Sequence, residues 1–138
     1  MYLALWEAGQ KDPQIEHAAG AAVRALSRFA GTFPIGRPAA ATFRGLYESL
    51  RGRPRRASRT WAYGLDWARR LELPYETSRL AYEIGRHLAP GDPARATHLQ
   101  QAADRFGQMG AIFELEATQA TQAALRRADG QTKDARAG

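Results

Sequence analysis

Residues 51–59 read RGRPRRASR, five arginines in nine positions. Two readings compete for this string. Its first four letters, R-G-R-P, spell the core of an AT-hook, an arm that lies extended in the minor groove of DNA. The same letters also fit a tight connection between two helices. Gly52 can end a helix in the left-handed region, and Pro54 can occupy the first position of the next helix, where a missing N–H costs nothing. A hook must be free on both sides, yet helical stripes flank this string at once. Phe43, Leu46, Tyr47 and Leu50 precede it, and Ala57, Trp61, Gly64, Ala68 and Leu71 follow it in steps of three and four. Leu50, not proline, stands before Arg51, which also departs from the hook pattern. The stretch is therefore a basic turn between helices, and the fold is all-α.

The same logic extends along the chain. Shifting the sequence by 38 residues superposes apolar positions: Val23 on Trp61 and Leu99, Ala30 on Ala68 and Phe106, Phe33 on Leu71 and Met109. A period of this size is the mark of stacked supersecondary units. The turn PGDPARA at 90–96 keeps a Gly-x-Pro but is one residue longer, so the offset slips locally to 39. Asp12-Pro13 and Asp92-Pro93 read as an N-cap followed by proline, and Gly9, Gly31, Gly52 and Gly91 as helix stops. The pattern predicts seven helices, at about 2–9, 13–30, 37–51, 54–71, 74–89, 93–109 and 111–127. They form antiparallel hairpins in one domain, residues 1–127. Residues 128–138 hold nothing apolar larger than alanine and read as a frayed tail. Met109 and the aromatic stripes read as core.

Composition narrows the function classes. The chain has 138 residues, 44% hydrophobic and 25% charged, which suits a folded domain. It has no cysteine, so thiolate chemistry is excluded. It has no basic-then-apolar leader and no stretch near the roughly 20 apolar residues of a membrane span. The expectation is a soluble, cytoplasmic protein. The net charge of +6 comes from 18 Arg against 2 Lys. That skew also follows from a GC-rich coding background, so charge alone makes nucleic acid the secondary reading and an acidic protein partner the primary one.

No catalytic constellation stands out. There is no G-x-x-x-x-G-K-[ST] for phosphates, no glycine elbow around Ser49, Ser58 or Ser78, and no acid–base dyad among the carboxylates. Glu83 and His87 share a helix face but lack a second ligand pair, so they read as a surface pair and no metal is expected. His17 and His98 stand alone. No cofactor is expected.

The small-then-aromatic spacing of Ala102 and Phe106, with Ile84-Gly85 and Leu88 on the partner helix, resembles a tetratricopeptide repeat. The stretches FPIGRPAAATFRGLYESLRGRP (33–54), LELPYETSRLAYEIGRHL (71–88) and DRFGQMGA (104–111) are similar to a narrower group. This is the C-terminal helical-repeat region of large bacterial signalling ATPases, which carry an N-terminal class III nucleotide cyclase or protein kinase domain. The resemblance implies a right-handed α-solenoid serving regulation and protein contact. It also implies a regulatory fragment of that architecture. The apolar first helix, MYLALWEAG, has no polar capping repeat before it, and open repeat ends invite self-association. In such arrays the first helix of each pair lines a concave groove. Carried onto this chain, that face offers Arg44, Glu48 and Arg51, then Arg79, Tyr82 and Arg86, a strip suited to an acidic or C-terminal peptide. A second candidate surface is the basic corner Arg53, Arg55, Arg56 and Arg59, the place where phosphates would be touched.

Overall fold

The computed structural model describes residues 2–138, and among these every regular element is helical. The helices are α1 (Tyr2–Glu7), α2 (Pro13–Thr32), α3 (Arg37–Leu50), α4 (Pro54–Arg70), α5 (Pro74–His87), α6 (Pro93–Met109) and α7 (Ile112–Ala137), with a 3-10 turn at Pro34–Gly36 between α2 and α3. No helix is long and apolar enough to cross a membrane.

The starts follow the prolines. Asp12 and Asp92 sit in extended backbone, and each accepts a hydrogen bond from the backbone N–H two residues on, from Gln14 at 2.8 Å and Ala94 at 2.9 Å. Each satisfies one of the orphan donors of a helix N-terminus. Asp92→Ala is expected to cost about 1 kcal/mol of unfolding free energy, read as a lowered urea midpoint with an unchanged slope.

Two stops differ from the sequence reading. Gly31 lies inside α2, which runs on to Thr32; the helix ends because Phe33 must be extended ahead of Pro34. At the other end of the chain, the expected frayed tail continues α7 to Ala137. Every side chain from Ala128 onward is exposed, so this last stretch is helical through its backbone and residues such as Ala135 and Arg136, without packing.

The chain divides into two compact units, the first ending at Glu76 and the second spanning Thr77–Gly138, with the division inside α5. In the first unit, α3 and α4 pack together across the three-residue turn 51–53, α2 packs on α3, and α1 packs on α2 and α3. The centre of this unit is Trp61, 2% exposed, whose indole N–H donates to the Thr42 carbonyl at 3.2 Å. It fits because Gly45 of α3 presents no side chain to it. At the rim, Trp6 meets Tyr47 edge-on, with ring centroids 5.7 Å apart.

In the second unit, α5 brings Ala81 against Ala102 and Phe106 of α6, with Leu115 of α7 completing the cluster. Tyr82 and Thr121 share a hydrogen bond of 3.1 Å between α5 and α7. Gln122 donates to Gln100 at 3.1 Å between α7 and α6. Gly85 lets α5 approach α6, since a Cβ there would lie 2.9 Å from Leu99.

The stripes are close to those expected, with three exceptions. Phe33 is 52% exposed, Phe43 40% and Met109 38%, so none of them is core. On α3 the buried face is instead Ala41, Thr42, Gly45 and Glu48, together with Leu46. An interior carboxylate takes up the side on which Phe43 was expected.

Candidate functional site

The string T-x-R-x-x-Y-E-x-x-R occurs twice, as Thr42-Arg44-Tyr47-Glu48-Arg51 in α3 and the residue that follows it, and as Thr77-Arg79-Tyr82-Glu83-Arg86 in α5. At helical spacing the arginine four residues before the glutamate and the one three residues after it share its face. The two copies are 35 residues apart, not 38. The 38-residue register holds instead for the buried positions of α4 and α6: Ala57 and Arg95, Trp61 and Leu99, Gly64 and Ala102, Leu65 and Ala103, Ala68 and Phe106. The difference lies in the connections, since Arg51 precedes Ala57 by six residues and Arg86 precedes Arg95 by nine.

Both glutamates of the string are interior. Glu48 accepts from Thr60 Oγ1 at 2.8 Å and from Arg44 Nε at 3.2 Å. Glu83, expected on the surface beside His87, is fully buried. Its Oε2 accepts from Arg86 Nε at 2.8 Å and stands 3.7 Å from His87 Nδ1, while its Oε1 lies 3.5 Å from Arg79. Arg79 and Arg86 also lie over the Tyr82 ring, at 6.0 and 5.3 Å from its centroid. Arg51 binds the Tyr47 hydroxyl at 3.0 Å and reaches Glu16 of α2 at 3.4 Å. That hydrogen bond, then the charges of Tyr47 and Glu16, hold the Arg51 pKa above its ordinary value. Much of the strip expected to meet a peptide is therefore engaged with neighbouring side chains.

A different grouping is assembled by the first unit. Arg44 of α3 and Arg59 of α4, placed by sequence on two separate surfaces, line one groove of about 520 Å3 together with Arg37. Its floor is made of small residues, Ala30 and Gly31 from α2 with Ala40 and Ala41 from α3, and its rim carries Ser27, Thr60 and Tyr63. Arg37 is fixed by a 3.4 Å hydrogen bond to the Ala30 carbonyl and by stacking 4.4 Å from the Trp67 ring centroid. Arg44 leans on Glu48, whereas the Arg59 side chain is exposed and has no described partner. No carboxylate is among the lining residues. Three guanidinium groups over a small-residue floor make a cationic trough whose forked donors match carboxylate or phosphate oxygens.

The basic corner is helical. Arg53 is the residue before α4, and Arg55, Arg56 and Arg59 lie on its first two turns, so R-G-R-P is a connection and not an extended arm. All four side chains are exposed, with no ion pair to a described residue. Among the described residues no group of three or more His, Asp or Glu gathers as a metal site. Arg37 carries no sequence signal of its own; only the fold of α2 onto α3 brings it to Arg44. The buried state of Glu83 was legible in its bracketing arginines, while at Glu48 only Arg44 of the corresponding pair meets the carboxylate.

Comparisons of this chain with family models, with curated proteins and with solved structures find no match.

Proposed function

We propose that the chain is a tetratricopeptide-like module that contacts another protein and carries out no catalysis of its own. In this reading antiparallel helix hairpins stack as a right-handed α-solenoid, of the kind placed C-terminally in bacterial signalling ATPases. The recurrence of buried positions between α4 and α6, and of the T-x-R-x-x-Y-E-x-x-R string between α3 and α5, supports the repeat. The single observation that carries the contact role is the arginine-lined groove of α2, α3 and α4, which has no carboxylate in its walls. An acidic segment of a partner, laid along that groove, would supply the missing negative charge. In a signalling architecture the partner is a neighbouring cyclase, kinase or ATPase domain.

The test is fluorescence anisotropy with a labelled Asp/Glu-rich peptide, alongside cross-linking to such a neighbour. Each of Arg37→Ala, Arg44→Ala and Arg59→Ala is expected to weaken peptide binding by about tenfold, the equivalent of one charge-assisted hydrogen bond. Unchanged affinity in the Arg44→Glu/Arg59→Glu double variant overturns the assignment, as does turnover of a substrate by the purified chain.

A second reading is favoured by one observation, the four exposed arginines at 53, 55, 56 and 59, which form no ion pair with a described residue. A nucleic-acid surface there requires a gel shift whose affinity falls with salt at a log–log slope of about −3 to −4 for four phosphate contacts. Charge reversal at Arg53, Arg55 and Arg56 would abolish that shift. No shift at low salt ends this reading and leaves the protein contact standing.

A further inference from the structure

We propose that the groove between α6 and α7 is a second binding site, for a small monocarboxylate held by the buried guanidinium of Arg95. Arg95 is the third residue of α6 and only 8% exposed. Its Nε and Nη1 are shut off from solvent without a hydrogen-bond partner, and no described carboxylate pairs with it. A guanidinium keeps its proton in any folded protein. This is therefore a buried cation whose Nε and Nη1 have no carboxylate within pairing distance among the described residues, an arrangement that proteins avoid because desolvation is left uncompensated. Packing alone does not demand it. At the matching depth of α4, 38 residues earlier, alanine suffices, and Ala57 is completely buried there.

Arg95 lines a groove of about 660 Å3, within the size range of small-ligand sites. The other walls define the chemistry of the occupant. Leu99 and Leu125 give an apolar floor. Gln122 donates to Gln100, which donates in turn to Asp104 at 2.8 Å, so amide groups present an ordered hydrogen-bonding wall. Asp92 is engaged in capping α6. Asp104, Asp129 and Arg126 also line the groove, and with two aspartates against that second guanidinium the walls add no net positive charge to draw a dianion such as phosphate. A single planar carboxylate satisfies the guanidinium at the least electrostatic cost, and an uncharged amide-bearing body suits the glutamines. The site lies wholly within the second unit, so its success or failure is independent of the α2–α4 groove.

The experiment is an NMR titration of the 15N-labelled chain at constant ionic strength. The probes are N-acetylglycine, the neutral N-acetylglycinamide and inorganic phosphate. Saturable shifts of the Arg95 Nε–H resonance and of the Gln100 and Gln122 side-chain amides are expected with N-acetylglycine. Its affinity should exceed that for the amide or for phosphate by about tenfold. In Arg95→Met the saturable glutamine shifts should disappear. Equal response to the neutral amide, tighter binding of phosphate, or only a non-saturating drift would each overturn the proposal. Because the Arg95 resonance is read in the unaltered chain, the outcome does not depend on the variant folding.

Discussion

Gly45→Ala is expected to destabilise the first unit by about 2 kcal/mol, against the usual direction for this exchange in a helix. Replacing a mid-helix glycine by alanine ordinarily stabilises by about 1 kcal/mol, because the unfolded chain loses freedom. At position 45 a new Cβ would fall under 3 Å from three indole atoms of Trp61. The indole cannot step aside cheaply. It is rigid, 2% exposed, and anchored through Nε1 to the Thr42 carbonyl. Overpacking of this kind costs about 1–3 kcal/mol and occasionally more, and displacing the ring adds the loss of a buried hydrogen bond of about 1 kcal/mol. The clash outweighs the propensity gain. Gly45→Val adds two methyl groups to the same collision, and we expect it to abolish cooperative unfolding of the unit. Gly31→Ala is the control: it sits in α2 with nothing within 4 Å of a Cβ, and should stabilise by about 0.5–1 kcal/mol. Urea denaturation followed by circular dichroism and by tryptophan fluorescence separates the outcomes. Equal stabilisation by both substitutions would mean that Trp61 does not press on α3 as described.

That contact also shows why some of the structure was open to inspection of the sequence and some was not. Helix ends were legible because they are local: proline and a capping aspartate fix starts at Pro13 and Pro93, and Gly52 with φ +74° closes α3. The 38-residue register of α4 and α6 was legible because both helices bury one stripe of apolar side chains. The first helices obscured it. Their shared string is charged, and charge is taken by default to face water, so Glu48 and Glu83 were placed outside and Phe43 inside. Spacing held part of the correction: at Glu83 both the −4 and the +3 arginine reach the carboxylate on its own helix, whereas at Glu48 only Arg44 does and Arg51 turns to Tyr47 and Glu16. The α2–α4 groove lay beyond any such local rule. Arg37, Arg44 and Arg59 come together only when three helices fold onto one another. A period in sequence states which faces are buried, but not which side chains from different helices meet in the gaps that remain.

Glu83→Ala is expected to cost about 3–5 kcal/mol, the range for removing one partner of a buried ion pair. The carboxylate is fully buried, and Arg86, 20% exposed, donates to it at 2.8 Å. The attraction offsets desolvation only while both charges are present, and without Glu83 the Arg86 guanidinium is left in a partly buried place without this carboxylate. Arg79 contributes less, being 33% exposed and at 3.5 Å, so Arg79→Ala should cost no more than about 1 kcal/mol. The sign of the coupling is itself testable. If burial of charge is the main cost, Glu83→Leu combined with Arg86→Leu should be less destabilised than Glu83→Leu alone, because the pair leaves together and apolar volume replaces it. A double-mutant cycle in urea reads this as a favourable interaction between the two sites. Additive losses would place the contribution of Glu83 elsewhere, in the packing of α5 itself. Glu48 gives the comparison within the same molecule. It is 7% exposed and takes a neutral donor, Thr60, together with a 59% exposed Arg44. Its truncation should therefore cost about 1–3 kcal/mol, the price of a lost hydrogen bond to a charged group, and salt should weaken the Arg44 share of it while leaving Glu83 nearly unaffected.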